Sequence, residues 1–291
     1  MDINKITVIG GGQMGRQIAL TSSIHGVDAT VYDLNGDVCD AVVAWEDEYL
    51  AGRIAKGRMT EEQVAATKKL FHVEKDFDKA LAGSQCVIEA VIEVEDVKRK
   101  VLHSVSEKVG EDVIIATNSS FMVSSKFADC VKNPSRLANM HYYNPALVMK
   151  LVEVVQGPHT SEETGKSLYD FCVKTGKTPI LMKKELEGFT AGYLLKIFKQ
   201  AAQWMVQEGY CTPKEIDIAC ENGLGHPMGP FRLNDLTGVD LSLDIMNDIY
   251  EKTGKKPAMY DTYKQMVAEG RLGRKVGHGF YDYDENGNAI R

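Results

Sequence analysis

A β-branched run, "KITVIG", passes without a break into "GGQMGRQIALTSSIHG", and this junction constrains the chain more than any other stretch. Gly10, Gly12 and Gly15 make G-x-G-x-x-G between a strand pattern and a helix pattern. Each spacing has a physical reason. Gly10 permits the tight turn, Gly12 lets backbone N–H groups approach a pyrophosphate, and Gly15 lets the helix pack against the strand. A second strand, "DATVYDL", carries Asp33 at its end, where the acid that binds a ribose belongs. The alternative, a Gly-rich turn beside an ordinary strand-end Asp, does not account for the matching flanks. Asp33 is expected to hydrogen-bond the adenosine ribose hydroxyls and to repel a 2′-phosphate, which favours NAD(H) over NADP(H). Arg16 is expected on the helix surface.

Strands alternate with helices for the next 150 or so residues, a pattern of doubly wound α/β sheets. Residues 36–69 read as a helical hairpin broken near "KGRMT". "CVIEAV" reads as the third strand, 95–108 as a helix, and "DVIIATNSS" as the fourth strand. "RLANMHYY" and "LVEVVQG" are two more, separated by a short turn. "SEETGKSLYDFCVKTG" is a helix opened by a Ser N-cap, and "TPILMKK" a last strand. Beyond it the text turns helical, with Thr212 as N-cap and Pro213 at the first position of one helix, and no further strand until "GFYDY". The predicted division is 1–185, a Rossmann-like NAD-binding domain, and 186–291, an α-helical substrate and dimerisation domain.

Composition narrows the function classes. A net charge of −7 argues against a nucleic-acid footprint. No apolar run approaches the ~20 residues of a membrane helix, and "MDINKITVIG" lacks a signal-peptide pattern. Six cysteines without a C-x-x-C pair read as reduced thiols of a cytoplasmic protein, with neither a disulfide frame nor a metal site.

"NMHYYNPALVMKLVEVV" raises a different question. An acid, Glu153, stands inside the apolar run "LVEVV", where burying it unpaired would cost several kcal/mol. If the two segments are antiparallel neighbours, His141 can lie beside it. A carboxylate on one imidazole nitrogen fixes the tautomer and leaves the other nitrogen to act as acid or base. A merely structural His–Glu hydrogen bond is the other reading.

"HYYNP", "MKLVEVV", "HPMGP" and "GRKVGHGFYDY" together resemble the L-3-hydroxyacyl-CoA dehydrogenase family, in the style of its short bacterial 3-hydroxybutyryl-CoA dehydrogenases. The resemblance covers nearly the whole chain and implies NAD-dependent oxidation of a short (S)-3-hydroxyacyl-CoA, as in fatty-acid and butyrate metabolism, by a cytoplasmic homodimer. It implies that His141, matching the His of H-F-F-N-P, is catalytic, that Glu153 orients it, and that Ser120 of "TNSSF" binds the reacting oxygen. It also implies that Gln13, Met14, Glu93, Lys98 and Asn118 join Gly10, Gly12, Gly15 and Asp33 around the cofactor. Asn144 and the hairpin's Arg53 and Lys56 would meet the acyl-CoA, with Glu89 and Arg58 beside these two groups.

One position departs from the family. Where its P-G-F-x-x-N-R carries an active-site Asn, this chain has Gly192 in "EGFTAGYLL", and no Asn or Gln lies between Lys183 and Lys199. Losing such a contact costs about 10²–10³ in kcat by analogy with oxyanion donors. The expectation is a weakened or re-plumbed site, with Thr190, Tyr193 or a water as substitute. Two further readings stand beside the main one. The same pair could serve a free hydroxy acid, as in gulonate or carnitine dehydrogenases, or the chain could bind a dinucleotide with little catalysis.

Overall fold

The computed structural model describes residues 1–290. Two compact units are present, Met1–Thr190 and the part from Ala191 onward. The first contains β1 (Lys5–Ile9), α1 (Gln13–Ile24), β2 (Asp28–Tyr32), α2 (Gly36–Ala55), α3 (Glu61–Lys68), β3 (Phe71–Glu74) and α4 (Phe77–Leu81). These are followed by β4 (Cys86–Glu89), α5 (Glu95–Lys108), β5 (Ile114–Thr117), β6 (Leu137–Tyr142), β7 (Leu151–Val155), α6 (Glu162–Lys174) and β8 (Thr178–Met182).

The eight strands form one sheet in the order β3-β2-β1-β4-β5-β6-β7-β8. Neighbours run parallel except β6 and β7, which are antiparallel. Near-continuous apolar runs suit strands covered on both faces, and Ile6, Val8, Val31, Ile88 and Ile114 are all fully buried. Each such side chain contributes about 1.5–3 kcal/mol. The helices begin where the sequence places caps: Asn35 accepts from the Asp37 N–H, and Thr60 with Gln63 forms a capping box.

Strand order reverses between β1 and β4, so a crevice opens at the carboxyl ends of these strands, where ligands of such sheets bind. Along the same edge lie Gly10 after β1, Asp33 after β2, Glu89 at the end of β4 and Thr117 at the end of β5. His141 near the end of β6 belongs to this edge too, and the antiparallel return of β7 brings Glu153 back beside it.

The sequence reading passed over β3 and α4. β3 is an edge strand with one buried residue, Phe71, so "FHVE" shows no apolar run. The third strand of the sequence reading is therefore β4.

The second unit continues α7 (Phe189–Gln207) into α8 (Pro213–Gly223), α9 (Pro230–Thr237), α10 (Val239–Thr253) and α11 (Tyr260–Ala268). Ile216, Phe231, Met246 and Tyr263 are buried in its core. "GFYDY" is not a strand; it makes only isolated bridges. Two of its backbone N–H groups, those of Phe280 and Tyr281, donate instead to the buried Asp235 carboxylate, as does the Tyr283 side-chain hydroxyl. All six cysteines are free. Among the described residues no helix is long and apolar enough to cross a membrane.

Candidate active site

His141 and Glu153 are direct cross-strand partners. In an antiparallel pair such side chains stand on the same face about 5 Å apart, and here Nδ1 lies 2.9 Å from Oε2. Glu153 is completely buried. Its desolvation is offset by donors on both oxygens: the Tyr143 hydroxyl donates to Oε2 over 2.9 Å and the Thr190 backbone N–H to Oε1 over 3.0 Å. On the far side of the imidazole, Ser120 Oγ lies 3.0 Å from Nε2. A carboxylate only accepts, so beside an ionised Glu153 the Nδ1 nitrogen carries the proton and Nε2 presents its lone pair toward Ser120.

The Thr190 donor exists because the chain turns sharply into α7. Gly188 and Phe189 both have positive φ, 79° and 49°. For Phe189 this costs about 1–2 kcal/mol, and the bend seats its buried ring 5.3 Å from that of His141. Thr190 thus meets Glu153 through its main chain, while Tyr193 is exposed. The Tyr143 contact had no sequence signal beyond a hydroxyl where the family motif has Phe.

At the glycine loop, Gly10 has φ 108°, and a Cβ there would come within 2.6 Å of the Ala90 carbonyl oxygen. A Cβ on Gly15 would overlap the Gly10 carbonyl oxygen, whereas one on the exposed Gly12 would meet nothing within 4 Å. The loop is thus tight on its sheet side and open at Gly12. α1 starts there without a side-chain cap, leaving first-turn N–H groups for an anion. Asp33 Oδ2 accepts from the Gly11 N–H at 2.8 Å, so the acid sits against the loop. These features fit a dinucleotide. Gln13 Nε2 reaches Asn144 Oδ1 at 3.1 Å, next to a cis Asn144–Pro145 bond, and Met14 packs on the core. Arg16 is half-buried on α1, with its guanidinium 4.7 Å over the Trp45 ring of α2.

Lys98 of α5 is buried and bridges Glu89 Oε1 at 2.8 Å and Glu93 Oε2 at 3.1 Å. Glu89 also accepts from Thr117 Oγ1 and the Val91 N–H. Partial burial pushes the Glu93 carboxyl up, but hydrogen bonding from Ser119 and the Lys98 ammonium outweigh it and hold it below the usual range. Asn118 uses its Oδ1 on the Tyr142 N–H, tying the loop after β5 to the end of β6.

Arg53 and Lys56 stand at the other end of the domain. Arg53 and Arg58 line a cavity of about 300 Å³ with Ser23 and Ile24, at the C-terminal end of α1. At 1.5 Å per residue that end is about 18 Å along the helix from the glycine loop. Lys56 is the C-cap of α2, and none of these residues is among the hydrogen-bond or ring partners of His141.

Residues 5–186 match the family profile of the 3-hydroxyacyl-CoA dehydrogenase NAD-binding domain, and 188–283 that of the 3-hydroxyacyl-CoA dehydrogenase C-terminal domain. The chain belongs to the 3-hydroxyacyl-CoA dehydrogenase family. It is 34% identical to a probable 3-hydroxybutyryl-CoA dehydrogenase of Bacillus subtilis over 98% of this chain and 99% of the relative. It is also 34% identical to a 3-hydroxybutyryl-CoA dehydrogenase of Clostridioides difficile, over 97% and 100%. The crystal structure of (S)-3-hydroxybutyryl-CoA dehydrogenase from Ralstonia eutropha superposes with a TM-score of 0.86 at 33% identity, covering 98% of this chain and all of that one. Membership in this dehydrogenase family makes the chain an NAD-dependent oxidoreductase, and its Rossmann-like unit the NAD-binding domain.

Proposed function

We propose that the chain interconverts (S)-3-hydroxybutyryl-CoA and acetoacetyl-CoA, with short 3-hydroxyacyl-CoA thioesters as its substrate class. The observation that carries this reading is the row Ser120–His141–Glu153, with both contacts near 3 Å at the carboxyl edge of the sheet. Bound NAD(H) supplies the hydride acceptor or donor. Gly10, Gly12, Gln13, Met14 and Gly15 would hold it at the start of α1, Asp33 would take its ribose, and Glu93, Lys98 and Asn118 would meet the rest of the cofactor.

In the oxidation direction His141 Nε2 takes the proton of the C3 hydroxyl. Ser120 steadies that oxygen, and Glu153 stabilises the imidazolium as it forms. In reduction the same nitrogen returns the proton to the developing alkoxide. Asn144 borders the acyl group. Arg53 and Lys56 suit the phosphates at the far end of CoA, which favours a thioester over a free hydroxy acid. A homodimer is the assembly we infer, because Leu194, Ile197 and Trp204 on α7 and Leu241 and Ile245 on α10 are exposed apolar residues. The cytoplasm, where acyl-CoA and NAD meet, is the compartment this activity suits.

The deciding measurement is the initial rate of NADH consumption with acetoacetyl-CoA, with free acetoacetate and NADPH in parallel. A fast rate that needs both the thioester and NADH is the expected result. Turnover of free acetoacetate alone would move the substrate to a free hydroxy acid. Saturable NADH binding without turnover of either would leave a dinucleotide-binding protein.

A further inference from the structure

We propose that Tyr143 is a positioning residue of the acid–base pair, whose hydroxyl, donating to the Glu153 oxygen that also holds His141 Nδ1, lowers the proton affinity of His141. This rests on the reading of His141 as the acid–base group.

The geometry is specific. Both donors reach Oε2 at 2.9 Å, while Oε1 takes the Thr190 N–H. The Tyr143 ring lies 4.6 Å from the imidazole, tilted by 55°. A hydrogen bond to an ionised carboxylate stabilises that anion more than a bond between neutral groups would. Charge drawn toward the phenol is charge no longer available to the imidazolium, so the second donor weakens the ion pair that a protonated His141 would form. The adjacent Tyr142 is buried and, one residue along the strand, faces away from Glu153, so an aromatic hydroxyl at the neighbouring position does not reach this carboxylate.

Partial burial and the neighbouring carboxylate push the Tyr143 phenol far above its ordinary value, so it remains a donor wherever the protein works. The groups facing His141 are Ser120 from the loop after β5, Glu153 from β7, Tyr143 beyond the end of β6 and the Phe189 ring at the start of α7. Of these, only Glu153 and Tyr143 are acids that titrate.

The consequence has a sign. Oxidation needs Nε2 free of its proton, and reduction needs it protonated. A lower proton affinity extends oxidation to lower pH and ends reduction sooner as pH rises. In H-F-F-N-P the hydroxyl is missing, so Tyr143→Phe is the mild test.

The experiment reads the His141 imidazole directly, by ¹⁵N NMR titration of the full-length protein, with the resonance assigned through its loss in His141→Asn. The proteins compared are the unmodified chain, Tyr143→Phe, and one with 3-fluorotyrosine at 143, a stronger donor. Tyr143→Phe is expected to raise the midpoint by roughly 0.5–1 pH unit, and 3-fluorotyrosine to lower it. In parallel, the acid limb of the oxidation profile should move up with Tyr143→Phe while KM for the thioester stays put. Midpoints that coincide in all three proteins would overturn the inference, as would a raised KM with unmoved limbs. Because the titration needs no turnover, a shifted midpoint in a protein inactive on acetoacetyl-CoA would sink the substrate reading and leave the proton-affinity claim standing. An active protein with an unmoved midpoint would do the reverse.

Discussion

At the ends of β4 and β6–β7 the chain buries two carboxylates, Glu89 and Glu153, both with no exposure, and gives each a nitrogen partner within 3 Å. The partners differ in kind. Lys98 is a buried ammonium locked between Glu89 and Glu93. Neutralising it would leave a buried carboxylate unpaired, so the pair has one useful charge state. His141 carries an imidazole, a kind of side chain that can change charge, and its second nitrogen meets a hydroxyl rather than another acid. Burial of a charge therefore does not mark catalysis by itself. A partner that can change charge, with its other face toward a site where a substrate oxygen can stand, does.

The largest expected effect separates the two pairs on the activity side. His141→Asn should lower kcat by about 10²–10⁴ and leave NADH binding and the unfolding midpoint close to those of the unmodified protein. Fluorescence titration with NADH and initial rates check this. A nearly unchanged kcat in a variant that still binds NADH would erase the distinction drawn here.

On the stability side the ranking reverses. Lys98→Met leaves Glu89 buried without its cation and should cost about 3–5 kcal/mol in urea unfolding. The double variant Lys98→Met with Glu89→Gln should recover part of that loss, because the orphaned charge is gone. If Lys98→Met cost under about 1 kcal/mol, no better than a surface ion pair, Lys98 would not be the structural counterpart of His141.

A smaller effect concerns pH. The Glu93 carboxyl is depressed in the folded protein, despite partial burial, by Ser119 and Lys98. A depressed acid contributes stability above its unfolded value, near 4.5, and loses it as pH falls through the folded value. The stability gap between the unmodified protein and Glu93→Gln should therefore be open at pH 6 and close as the solution is acidified toward pH 3, read by urea midpoints across that range. Glu93 is partly exposed, with 38% of its side chain accessible, so solvent screening keeps the gap small. A gap that widened on acidification would invert the sign and refute the assignment.

How much of this was legible beforehand differs between the strands and the site. Seven of the eight strands declared themselves because covered strands need apolar runs; β3 did not, because an edge strand with one buried residue carries no such run. Glu153 was legible because a carboxylate in "LVEVV" demands a partner, and strand register supplies His141. The Thr190 N–H was not, since a backbone donor leaves no trace in side-chain identity and depends on Phe189 taking positive φ. The contact of Arg16 with Trp45 was not legible, because its partner sits on another helix. Charged residues at Arg53 and Lys56 could be listed from sequence, but not their distance from the glycine loop, which follows from how α2 lies along α1.

The smallest expected effect is at Gly192. The resemblance implies an active-site Asn at this position, and its absence led to the expectation of a weakened or re-plumbed site. Around His141, however, Glu153 already has the Thr190 N–H and the Tyr143 hydroxyl, and Nε2 has Ser120. Gly192 is exposed on α7, one turn beyond Phe189, and a Cβ there meets nothing within 4 Å. Gly192→Asn should fold and should stabilise α7 by a few tenths of a kcal/mol, because Gly is the poorer helix residue. We expect kcat/KM to change by less than about threefold, or ~0.6 kcal/mol in the barrier. A tenfold gain would show that the position still has its role and that the donors on Glu153 do not replace it. An unchanged rate would show that the position has lost its role, as expected where Glu153 and His141 already have their partners on the strand pair and at the start of α7.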